Sequence, residues 1–133
     1  MPPPRASLVE DAGIQHPRIE LEYPTERLAI VHLVGDHDLS MYEPLKEALE
    51  MAAARRRSVF IECSRCSFID STVISLLLHA QGMVVSGGGH FVLVIPDDAG
   101  AVRRVAEVMG LGQMFPLCGS LPSLAAGLAS TPS

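Results

Sequence analysis

Three observations predict a single α/β domain built on a mainly parallel, mixed β-sheet of about four to five strands, with α-helices packed against it. The chain has 133 residues, 48% hydrophobic and 19% charged, a length and balance that bury one core without disulfides or metal. Two runs, SVFIECS at 58–64 and HFVLVIP at 90–96, are almost continuously apolar, as strands covered on both faces are. Helical periodicities lie between the strand-like runs, and strands alternating with helices form parallel sheets.

At the start of the chain, residues 1–17, MPPPRASLVEDAGIQHP, are proline-rich and lack an apolar segment. They are expected to form a flexible N-terminal tail rather than a secretory signal. RIELEY at 18–23 alternates apolar and polar residues, the pattern of an edge strand with one wet face. RLAIVHLVG at 27–35 reads as a second strand closed by glycine, and the two apolar runs above as the third and fourth. In the first helix, 41–54, Met41, Leu45, Ala48, Leu49 and Ala52 share one face. Ser40 and Glu43 have the spacing of a capping box before it. A largely apolar second helix, 71–85, stops at Gly87-Gly88-Gly89. A third, roughly 98–109, shows Val102, Val105 and Met109 and ends at Gly110; a short fourth, 121–129, has Pro122 in its first turn.

Ligands and partners of a parallel sheet gather at the carboxyl ends of its strands. The stretch SFIDSTVISLLL, 67–78, places Asp70, Ser71 and Thr72 at that edge, between the third strand and the second helix. The same residue types are ordinary helix caps. Position alone therefore names no function.

Several classes of function are disfavoured. The net charge is −5 without a basic stripe, which argues against nucleic acid. Arg55-Arg56-Arg57 follows the first helix, where cations complement its dipole. Apolar stretches break well short of the ~20 residues of a membrane span, so no membrane insertion is expected. Three cysteines without a signal point to reduced thiols and a cytoplasmic protein. Ser71 lacks a G-x-S-x-G elbow, and His16, His32, His79 and His90 are scattered rather than arranged as a base. Lys46 is the single lysine and belongs to no phosphate-binding loop. Neither enzyme activity nor a cofactor is expected. Asp36-His37-Asp38 are adjacent residues at a strand end, and such ligands rarely converge on one ion. Cys63 and Cys66 have zinc-ribbon spacing, but only Cys118 remains to complete a second pair. They also precede the helix start by several residues. A thiol redox pair is retained as an alternative.

Four segments, taken in order, resemble the STAS domain of bacterial anti-sigma factor antagonists. Gly35-Asp36-His37-Asp38 is similar to that family's Gly-Glu-x-Asp turn, and Phe68-Ile69-Asp70-Ser71-Thr72 to its phosphorylation motif. A glycine-rich turn then leads into an apolar strand at 87–95, and Met109-Gly110-Leu111 with Phe115 resembles its Ser-Gly-Leu with a downstream Phe. The resemblance covers residues 18–129 and implies one STAS domain there. It implies partner switching: the domain binds an anti-sigma factor, which releases its sigma factor. That anti-sigma factor is an ATP-dependent serine kinase whose phosphorylation of the motif serine, here Ser71, ends the binding; a phosphatase would reset it. Asp38, Asp70, Ser71 and Thr72 would form the partner-binding surface. The family also implies alternatives, a cytosolic subunit of a lipid-transport ATPase or a stressosome-like scaffold. Two positions depart from the pattern. Val73 stands where glycine is usual and is expected to add bulk where a kinase approaches; His37 replaces an apolar residue and is expected to place an ionisable group beside the surface.

Overall fold

A computed structural model describes residues 16–55, 57–98 and 100–121. Its five-stranded mixed sheet has the order β1-β2-β3-β4-β5, with β1 Arg18–Thr25, β2 Leu28–His37, β3 Ser58–Ile69, β4 Phe91–Val94 and β5 Leu117–Cys118. Edge strand β1 runs antiparallel to β2, and the remaining neighbours pair in parallel. The helices are α1 Tyr42–Arg55, α2 Ser71–Ser86, α3 Gly100–Met109 and α4 Leu111–Met114, and a 3-10 turn, Leu39–Met41, precedes α1.

This is the expected class, with instructive differences of detail. Strand β3 continues past residue 64 to Ile69. Its pairing with β2 shifts register twice, so that Val34 faces Arg65 and Asp36 faces Phe68. Each shift places one extra residue in β3, and an odd insertion reverses which side chains face the core. Cys63 and Cys66 are therefore both buried although they are three apart. The capping box does not form: Ser40 lies inside the 3-10 turn and bonds back to Asp38. Short elements α4 and β5 were not expected. Of the 121–129 helix only Leu121 is described, and residues 1–15 of the expected tail also lie outside the described residues.

One layer of helices covers one face of the sheet. Leu45, Leu49 and Ala52 from α1, Val73, Leu77 and Ala80 from α2, and Val102 and Ala106 from α3 pack on Val31, Leu33, Ile61 and Leu93. Burying a Leu side chain such as Leu77 contributes roughly 1.5–3 kcal/mol relative to leaving it exposed. The second face carries a smaller cluster, Ile30, Phe60, Val92 and Val94. Phe115 packs on Phe91 with ring centroids 5.9 Å apart, and Gly110 reaches the left-handed region (φ 67°) that joins α3 to α4. A Cβ on Gly89 would lie 1.6 Å from the Arg57 carbonyl oxygen, so the glycine-rich turn before β4 is a close backbone approach. The expected Gly-rich and Gly-Leu…Phe signals are thus structural joints.

Candidate functional site

Because β2 and β3 are parallel neighbours, both end at the same edge, where His37 pairs with Ile69. The next residues are Asp38 and Asp70, and the Asp70 N–H donates to the His37 carbonyl at 3.2 Å, tying the two turns together. Each aspartate has extended backbone; Asp38 caps the 3-10 turn and Asp70 caps α2. The Asp38 carboxylate accepts from the Ser40 N–H at 2.9 Å and the Ser40 hydroxyl at 2.6 Å; these bonds hold its carboxyl below the ordinary carboxylate value. The Asp70 carboxylate accepts from the Val73 N–H at 2.9 Å. Asp70 is an N-cap, the capping role its residue type suggested.

Ser71 occupies the first position of α2 and is exposed, while Thr72 is half-buried. The Ser71 carbonyl accepts from the Ser75 hydroxyl at 3.2 Å. Among the described residues the Ser71 hydroxyl itself has no hydrogen-bond partner. Below it, a groove of about 550 Å³ runs between α1 and α2, lined by Tyr42, Lys46, Glu50, Ser71, Ser75 and His79 among others. Two apolar side chains flank the aspartates: Leu39 is 67% exposed and Phe68 42%. Sequence reading missed both as surface groups. Leu39 carries no periodic signal, and Phe68 lies in the part of β3 beyond residue 64, where the strand was not expected.

The two departures lie elsewhere than expected. His37 is 0% exposed, with its Nε2–H donating to the Val34 carbonyl at 3.1 Å; burial pushes its pKa down. Counting by two from Ala29 through Val31 and Leu33 puts residue 37 on the helix-covered face, because β2 runs past the expected end at Gly35 to His37. Val73 is likewise fully buried and fills the core rather than the approach to Ser71. Asp36 is exposed on the opposite side of the strand and accepts from the Ser67 hydroxyl at 2.7 Å.

Cys63 and Cys66 are buried free thiols, and Cys118 is a partly buried one. Burial, reinforced by neighbouring Cys66 and Glu62, raises the Cys63 pKa well above its ordinary value. Burial also pushes the Cys66 thiol up to about 12. The thiolate is the reactive species, so both groups are poor nucleophiles near neutrality.

One antiparallel edge strand followed by four parallel strands, with a layer of helices bearing on the carboxyl edge, defines a small α/β domain. The family model described as "Mlab, STAS domain" matches residues 25–119, and the chain belongs to the STAS domain family. Among solved structures it is similar to SpoIIAA, an anti-sigma factor antagonist, in its unphosphorylated form: TM-score 0.70 and 20% identity over 87% of this chain and 100% of that one. An anti-sigma factor antagonist from Mycobacterium paratuberculosis gives TM-score 0.72 and 21% identity over 86% and 96%. The Bacillus cell fate determinant SpoIIAA in its phosphorylated form gives 0.60 and 19% over 84% and 99%. At such identities the likeness is one of fold. No curated protein matches the chain.

Proposed function

We propose that this chain is a cytoplasmic anti-sigma factor antagonist, a binding protein without catalysis of its own, switched off by phosphorylation at Ser71. Its partner is an anti-sigma factor with ATP-dependent serine kinase activity, and a phosphatase restores the binding state. One observation carries the reading: Ser71 is an exposed, unbonded hydroxyl between a capping aspartate and an exposed apolar edge. Asp38, Asp70, Ser71 and Thr72, with Leu39 and Phe68, form the docking surface. Phosphorylation there adds about −1.5 to −2 charge. The start of α2 tolerates an anion, so the fold persists. A partner packed over Ser71 must instead strip water from that charge without supplying a partner group of its own, at a cost of several kcal/mol. At ~1.4 kcal/mol per decade, affinity falls 10²-fold or more.

The test is calorimetric titration of the wild type, Ser71→Ala and Ser71→Glu against a candidate anti-sigma factor kinase, with and without ATP. Ser71→Ala should bind in both conditions, the wild type should lose binding with ATP, and Ser71→Glu should bind more weakly throughout. Equal affinities for all three, or phosphate mapped only to Thr72 or Ser75, reject the assignment. Stable capture of a membrane transporter ATPase instead would favour the lipid-transport alternative.

A further inference from the structure

Resting on the reading of Ser71 as phospho-acceptor, we propose that Lys46 is the internal counter-ion that receives the phosphoryl group on Ser71. Both residues line the α1–α2 groove. The two helices start from the same sheet edge, because each follows one of two neighbouring parallel strands, and they run in the same direction. Tyr42, Lys46 and Glu50 recur every four residues on the α1 wall, as Ser71, Ser75 and His79 do on the α2 wall. Lys46 is one turn into its helix, about 6 Å from the start. Helical side chains lean back toward the N-terminus, and the lysine stem is long and flexible. Its ammonium is thereby directed toward the mouth of the groove, where Ser71 stands.

Lys46 is exposed and, among the described residues, makes no hydrogen bond or ion pair. No arginine among the described residues lines the groove; elsewhere Arg18 and Arg65 bond to Glu20, Arg57 to the Gly88 carbonyl, and Arg103 to Asp97 and the Ile95 carbonyl. His79, two turns along α2, is about 12 Å below Ser71. The phosphate meets Asp38 and Asp70 at the mouth, each engaged in capping, and Tyr42 at the top of the α1 wall. Glu50, one turn beyond Lys46, competes for the ammonium. Among the described residues that line the groove, Lys46 is therefore the lysine or arginine placed to offset the charge that modification adds, and its pairing holds the phosphoserine without refolding the domain.

The experiment uses full-length protein with phosphoserine installed genetically at position 71, so no kinase is needed. Titrating the second phosphate ionisation by ³¹P NMR at low salt gives the readout. Lys46→Gln should raise that pKa by about half a unit; Lys46→Arg should restore it, and 1 M salt should shrink the difference. Arg104→Gln on α3 should leave it unchanged. A change below about 0.1 unit for Lys46→Gln, or an equal change for Arg104→Gln, overturns the proposal. A kinase that leaves Ser71 unlabelled counts against the switching reading alone, because the titration does not depend on it.

Discussion

Two turns stand side by side at the carboxyl edge, Asp38-Leu39-Ser40-Met41 and Asp70-Ser71-Thr72-Val73, and the same opening residue does different work in each. In the first, the carboxylate is bonded by Ser40 two residues on, the turn is 3-10, and the fourth residue, Met41, is only half-buried. In the second, the carboxylate is bonded by the N–H of the fourth residue, Val73, whose side chain is fully buried, and a sixteen-residue helix begins there. Where one turn exposes the apolar Leu39, the other exposes the hydroxyl of Ser71. The contrast separates holding from presenting. Asp70 and Val73 anchor the helix, so Ser71 is left with no structural duty and its chemistry is free to change.

The largest effect should come from the anchor. Val73→Gly, which restores the residue usual in the family, removes a buried side chain and puts glycine in the first helical turn. Cavity and backbone terms together should cost about 2–4 kcal/mol. A denaturant midpoint within error of the wild type would show that the second turn is not core-anchored. Next comes the cap. Asp70→Ala should cost about 1–2 kcal/mol because it frees the Val73 N–H of a long helix, and Ser71→Ala should cost under about 0.5 kcal/mol. If Ser71→Ala proves the more damaging substitution, the division of labour between these neighbours is wrong.

Much of this arrangement was legible in the residues. The α/β class, the first four strands and the inward face of α1 came from apolar period, because the residues that repeat at helical spacing, Leu45, Leu49 and Ala52, are those that pack on the sheet. The Asp-Ser-Thr edge came from where a strand must pass into a helix. The features that escaped depend on pairing rather than on composition. The two extra residues in β3 are visible only against β2; the first turns Cys66 inward, and the second restores the alternation of Ile61 and Cys63, so that Ile69 faces inward and Phe68 out. The burial of His37 follows from strand parity, because β2 runs past Gly35 to His37. Element β5 is two residues long, too short to leave a periodic signal.

At the first turn, Leu39→Ser should leave stability within about 0.5 kcal/mol, because the side chain is mostly in water. Partner affinity should nonetheless fall about fivefold, the scale of one contributing interface residue. Titration of this variant beside Phe68→Ser checks whether the exposed apolar edge belongs to the docking surface. Undiminished affinity in both would confine recognition to the second turn.

The smallest effect is an acid limb with two windows, one from His37 at the end of β2 and one to which Asp38 of the first turn contributes. Burial depresses the folded-state pKa of His37 below its ordinary 6.5. The unfolded chain therefore takes up a proton that the folded one resists. Stability from this source is complete above about pH 6.5 and is lost as pH falls from there toward the folded value. The Asp38 carboxyl is depressed below 3.8 by the Ser40 hydroxyl and N–H. Its contribution is present above the unfolded value and disappears as pH falls through the folded one. Because Asp38 is fully exposed, solvent screening keeps this second window shallow. Urea midpoints measured from pH 7.5 down to 3 should decline in two steps. His37→Gln should flatten the upper step alone, and Ser40→Ala should make the lower one shallower, the remainder coming from Glu20, whose carboxyl is held down by its bonds to Arg18 and Arg65. A lower step unchanged by Ser40→Ala would mean that the Asp38–Ser40 bond does not order the first turn in solution.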